Sequence, residues 1–125
     1  MKVLLVDDEE EMVTALAERL SMRDIEADWV TCGADAISRA RENRYDVFIL
    51  DVKMPGMSGL EIMEKIQEVK PDAKIIFLTG HGSVEDHEAG KRAGASFYLM
   101  KPLDIQVLID RMKEAAEAGV RKHDL

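Results

Sequence analysis

Tyr-Asp-Val-Phe-Ile-Leu-Asp-Val-Lys-Met-Pro-Gly-Met-Ser-Gly occupies residues 45 to 59. Val47 to Leu50 is a short, unbroken apolar run, the pattern of a strand buried on both faces of a parallel sheet. It stops at a carboxylate, Asp51. Met54-Pro55-Gly56 then turns the chain out of the sheet, because proline fixes φ and glycine accepts backbone angles other residues resist. Asp51 is therefore predicted at the carboxyl end of a central strand, the edge of an open α/β sheet where ligands bind. An aspartate that merely opens a turn would look the same in this stretch, so the remaining acids must separate the two readings.

Toward the C-terminus, Ser58 can cap a helix with Ile62, Met63, Ile66 and Val69 on one face and Pro71 just beyond it. Lys74 to Thr79 carries Ile-Ile-Phe-Leu, a second buried strand, and ends on a hydroxyl, Thr79. The helix expected over Ser83 to Ala93 has a poor apolar stripe, and Gly90 inside it costs about 1 kcal/mol relative to alanine. Phe97 to Met100 is a further strand, followed by Lys101-Pro102. Asp104 can cap a last helix with Ile105, Leu108, Ile109, Met112 and Ala116 on one face, with Gly119 as its stop. That places a domain over 1–119 and a short, loose polar tail over 120–125.

Toward the N-terminus, Lys2 to Val6 is another buried strand, and it too ends in carboxylates, Asp7 and Asp8. Glu9, Glu10 and Glu11 follow, where negative side chains complement the start of a helix. Val13, Leu16, Ala17 and Leu20 give that helix an apolar face to about Met22. Ile25 to Thr31 is more polar and suits an edge strand, with Trp29 facing either way. Past Gly33, a helical stripe of Ala36, Ile37 and Ala40 runs to about Asn43. Strict alternation of strand and helix implies a doubly wound α/β sandwich with a five-stranded parallel sheet and right-handed crossovers. The common strand order at this size is 2-1-3-4-5, the flavodoxin-like (βα)5 arrangement.

A chain of 125 residues supports one core. No stretch approaches the roughly 20 apolar residues that span a bilayer, and no secretory signal opens the chain, so a cytoplasmic location is expected without membrane contact. The single cysteine, Cys32, excludes an internal disulfide and a cysteine metal cluster. The net charge of -8 argues against a broad nucleic-acid footprint and favours cations.

Strands of a parallel sheet point one way, so Asp7, Asp8, Asp51, Thr79 and Lys101 emerge at one edge, with the acids converging on Asp51. Crowded carboxylates disfavour one another's charged forms unless a cation joins them. Oxygen ligands select a hard ion, Mg²⁺ foremost, which readily shares phosphate oxygens. A metal, an ammonium, a hydroxyl and a carboxylate mounted before a turn suit phosphoryl transfer, where catalysis is largely positioning and charge stabilisation.

These residues resemble the receiver domains of two-component response regulators over about Lys2 to Ala118. The matching pieces are Val-Asp-Asp at 6 to 8, Asp51 with Met54-Pro55-Gly56-Met57-Ser58-Gly59, Thr79-Gly80, Gly94-Ala95, and Tyr98-Leu99-Met100-Lys101-Pro102. The resemblance implies that Asp51 accepts a phosphoryl group from a phosphohistidine on a sensor histidine kinase or phosphotransfer protein, and is not itself an enzyme in the usual sense. It implies Mg²⁺ on Asp8, Asp51 and the backbone carbonyl of Lys53, with Asp7 acting through water. Lys101 and Thr79 would bind phosphoryl oxygens, and the Lys101-Pro102 bond would be cis. Thr79 and Tyr98 would be the switch, Tyr98 swinging inward and reshaping the surface of the fourth helix, fifth strand and fifth helix. That surface would meet a partner protein, an output domain of transcriptional type, or a second copy of the chain. His81 and Lys53 stand where the family tunes phosphate lifetime, while His87 and His123 are expected to face solvent.

Two other functions compete. A haloacid dehalogenase-type phosphatase also uses a strand-end aspartate, a threonine, a lysine and Mg²⁺, but it places a second aspartate where this chain has Lys53. A phosphorylation-independent docking module of the same fold would not need the full set of site residues.

Overall fold

The computed structural model describes residues 1–80 and 82–123, with side-chain surroundings up to residue 118. Five strands alternate with five helices: β1 (Lys2–Val6), α1 (Glu10–Ser21), β2 (Glu26–Val30), α2 (Gly33–Glu42), β3 (Val47–Leu50), α3 (Gly59–Val69), β4 (Ile75–Thr79), α4 (Val84–Arg92), β5 (Phe97–Met100) and α5 (Ile105–His123). The sheet is parallel throughout, in the order β2-β1-β3-β4-β5.

The apolar runs lie where their continuity demands. All of β3 and β4 is buried, whereas β2 at one edge is largely open and β5 at the other is only partly covered. Successive residues of a strand face opposite sides, and the core divides accordingly. Leu5, Ile49 and Ile76 pack on one side with Val13 and Leu20 of α1 and Leu108 and Met112 of α5. Leu4, Phe48, Leu50 and Phe77 pack on the other with Ile62, Met63 and Ile66 of α3.

Three helix starts, those of α3, α4 and α5, carry side-chain caps. The Ser58 hydroxyl accepts from the Glu61 amide at 3.2 Å, and the Asp104 carboxylate accepts from the Gln106 amide at 2.7 Å. Ser83 and Asp86 cap α4 reciprocally, each side chain accepting from the other's amide. The interior glycine of α4 has a packing reason: a Cβ at Gly90 would stand 3.3 Å from the rings of both Phe77 and Tyr98. α5 differs from its expected end, since it passes Gly119 and continues to His123. A glycine costs a helix only about 1 kcal/mol, too little to end one by itself. The expected loose tail is thus helical as far as His123, and Asp124, Leu125 and the His123 side chain lie outside the description. Trp29, of undetermined facing in the sequence, stands 37% exposed on the edge strand.

Candidate functional site

The strand ends are tied to one another by the backbone. The Asp51 amide donates to the Val6 carbonyl at 3.0 Å, and the Lys101 amide to the Thr79 carbonyl at 2.9 Å. Asp7, Asp51 and Thr79 are all buried, at 8%, 4% and 0% exposure, while Asp8 is exposed. Just past Asp51 the chain folds back tightly. The Gly59 amide donates to the Val52 carbonyl at 2.8 Å, and a Cβ at Gly59 would overlap the Asp51 carbonyl oxygen. Gly56, at φ 83°, supplies the turn that makes this return possible.

The Asp51 carboxylate has a distinct neighbour at each oxygen. Oδ1 accepts from the Thr79 hydroxyl at 2.7 Å and the Lys53 amide at 3.3 Å. Oδ2 lies 3.8 Å from the Lys101 ammonium. The same ammonium is 2.8 Å from Asp7 Oδ2, and Asp7 Oδ1 accepts from the Glu9 amide at 3.0 Å. Asp7, expected to work through water, is thus also the direct ion-pair partner of Lys101. One carboxylate oxygen each from Asp7, Asp8 and Asp51 lie within 4.8 Å of one another. Three clustered carboxylates, with one ammonium beside Asp7 and Asp51, leave an excess of negative charge, and a set of oxygen donors alone fits a hard divalent cation. The Lys101-Pro102 bond is cis. The Lys53 side chain is exposed, and His81 lies outside the described residues.

Tyr98 is tucked beneath α4. Its ring centroid is 5.8 Å from that of Phe77, and its hydroxyl is buried with no hydrogen-bond partner among the described residues. Burial first, then the negative charges of Asp86 and Asp51, hold that hydroxyl above the usual tyrosine pKa. His87, expected to face solvent, is exposed on one side but stacks on the Tyr98 ring with the other, at 4.7 Å between centroids and 13° between planes. Local periodicity could not reveal this contact, because it depends on how α4 crosses β5.

An acidic pocket at the carboxyl edge of a 2-1-3-4-5 sheet, with a hydroxyl and an ammonium on its central aspartate, has a family that matches it. The family description "Response regulator receiver domain" fits residues 3–113. The chain belongs to the response regulator receiver domain family.

This receiver domain is a phosphoacceptor signalling module, and its pocket of Asp7, Asp8 and Asp51 is consistent with that role. It is 34% identical over 112 residues to the transcriptional regulatory protein PrrA of Mycobacterium tuberculosis, covering 90% of this chain and 48% of that protein. The chain spans about half the length of the curated relatives it matches. Among solved structures, a CheY-like receiver domain protein of Methanospirillum hungatei superposes with a TM-score of 0.90 at 26% identity, covering 97% of each chain. The beryllofluoride-activated DrrB receiver domain superposes with a TM-score of 0.81 at 31% identity, covering 93% of this chain and 97% of that one. No helix among the described residues is long and apolar enough to cross a membrane.

Proposed function

We propose that this receiver domain takes a phosphoryl group onto Asp51 from the phosphohistidine of a sensor histidine kinase or phosphotransfer protein. The observation that carries this reading is the divided environment of Asp51, with Thr79 and the Lys53 amide at one oxygen and Lys101 at the other. A carboxylate oxygen of Asp51 attacks phosphorus as the phosphorus–nitrogen bond to the donor imidazole breaks. The electron pair leaves with that nitrogen, and an acyl phosphate remains. Lys101 and Thr79 would meet the charge spreading over the phosphoryl oxygens, where fixed donors are most effective. Asp8, Asp51 and the Lys53 carbonyl would hold Mg²⁺, with Asp7 assisting through water. Its chemistry there would be neutralisation of phosphoryl oxygen charge.

Thr79, drawn to a phosphoryl oxygen, would couple to Tyr98 and alter the surface of α4, β5 and α5. That surface would act on a partner, on a second copy of the chain, or on an output domain, and the relatives' names as transcriptional regulators support an output in transcription. Residues 1–119 would form the receiver unit, working in the cytoplasm without direct contact to nucleic acid. The haloacid dehalogenase-type phosphatase is disfavoured, because Lys53 stands where such an enzyme needs its general acid.

Incubation with acetyl phosphate and Mg²⁺, followed by intact mass, tests the reading. One phosphoryl group should add to the wild type and none to Asp51→Asn. A base-labile adduct in comparable yield on Asp51→Asn would refute it.

A further inference from the structure

Tyr98 lies in a slot with four walls. Phe77 of β4 backs the ring, and Gly90 of α4 passes so close that an added Cβ would stand 3.3 Å from its edge. Gly82, in the loop before α4, faces the hydroxyl, and a Cβ there would overlap it. The fourth wall is His87, stacked nearly parallel on the ring at 4.7 Å. Two walls are open only because they are glycines.

We infer that His87 is a positioning residue for Tyr98: its imidazole closes the slot, so that the tyrosine ring and α4 move as one unit. A buried hydroxyl without a hydrogen-bond partner among the described residues opposes the tucked position. Ring contacts must then hold it, and His87 supplies the one that is removable without disturbing the core. His87 is itself exposed, so burial gives its ring no reason of its own to lie flat on Tyr98. Gly90 is the only buried residue of α4, which leaves the stack as a principal tie between that helix and β5. The Thr79 hydroxyl donates to Asp51 at 2.7 Å in the same structure in which Tyr98 is tucked. The consequence for Asp51 rests on the phosphoacceptor reading, whereas the packing does not. A partner that draws His87 away from the ring would release Tyr98.

The test compares wild type, His87→Ala and His87→Phe, the last keeping a flat ring at the same place. NMR couplings give the side-chain rotamer populations of Tyr98, assigned by its loss in Tyr98→Phe. Amide shifts under titration with beryllofluoride and Mg²⁺ give the affinity of the site. His87→Ala is expected to mix the Tyr98 rotamers and weaken beryllofluoride binding roughly two- to tenfold, the equivalent of one aromatic stacking contact. His87→Phe is expected to restore both. An unchanged Tyr98 rotamer in His87→Ala would overturn the proposal, as would failure of His87→Phe to rescue it. If the wild type bound no beryllofluoride, the phosphoacceptor reading would fail instead, and the rotamer measurement would still judge the stack.

Discussion

At Asp51 the two carboxylate oxygens are already committed to different neighbours, one to the Thr79 hydroxyl and Lys53 amide and the other facing Lys101. Asp8 is the exposed member of the acidic group and adds negative charge that only a cation offsets. Asp8→Asn is therefore expected to raise stability without Mg²⁺ by about 1 kcal/mol, since it removes one repelling charge from a crowded set. Wild type should gain about 2.7 kcal/mol when Mg²⁺ exceeds its Kd a hundredfold, and Asp8→Asn should gain much less. Urea unfolding with and without Mg²⁺ checks both, and an unresponsive wild type would count against a metal site. Tyr45 makes a separate statement about pH. Burial, then the hydrogen bond its hydroxyl donates to Asp28 at 2.7 Å and the charge of Asp28, push its pKa up to about 12. The folded state keeps this proton while the unfolded chain loses it, so the stabilisation is full below about pH 10 and is lost as pH rises through 12. Stability should fall by about 2 kcal/mol across that window and by visibly less in Tyr45→Phe, as read from denaturant midpoints. The acids, the threonine and the lysine were legible in the sequence because each directly ends or follows an apolar run. His87 was not, because its partner lies on another element and no periodicity links the two.

Among the elements, α4 is anchored least. Its only buried residue is Gly90, whereas α3 buries Ile62, Met63 and Ile66. An element with few buried apolar contacts opens at low free-energy cost and can serve as the moving part of a switch. Beryllofluoride with Mg²⁺ should therefore change amide exchange over residues 79 to 101, while α1 and α3 hold still. Changes confined to residues 7 to 59 would exclude α4 and β5 as the route. The weakness of α4 was visible in its poor stripe, but the purpose of Gly90 was not. Alone it reads as a helix penalty, and only the Phe77 and Tyr98 rings beneath it explain the missing side chain. Gly119 shows the converse, a glycine that looked like a stop and lies within α5. At the sheet edge, β2 covers Glu26–Val30, narrower than the polar run from Ile25 to Thr31 had suggested, since an edge strand has one neighbour to define its ends.

For the molecule as a whole, parallel strand direction turns sequence order into chemistry. Residues as far apart as Asp7 and Lys101 meet at 2.8 Å because β1, β3, β4 and β5 all finish at one edge. The architecture was legible for that reason: a short chain of five alternating units has few ways to bury its apolar runs. The net charge of -8 is in keeping with the cluster of carboxylates at this edge. Phosphorylation at Asp51 is the claim on which the remaining chemistry depends. Its most direct test is chemical trapping: label with acetyl phosphate and Mg²⁺, reduce the acyl phosphate with borohydride, and sequence the peptides by mass spectrometry. Homoserine is predicted at position 51 and nowhere else; homoserine at position 7 or 8 with an intact Asp51, or a chain that takes up no phosphoryl group, would contradict it.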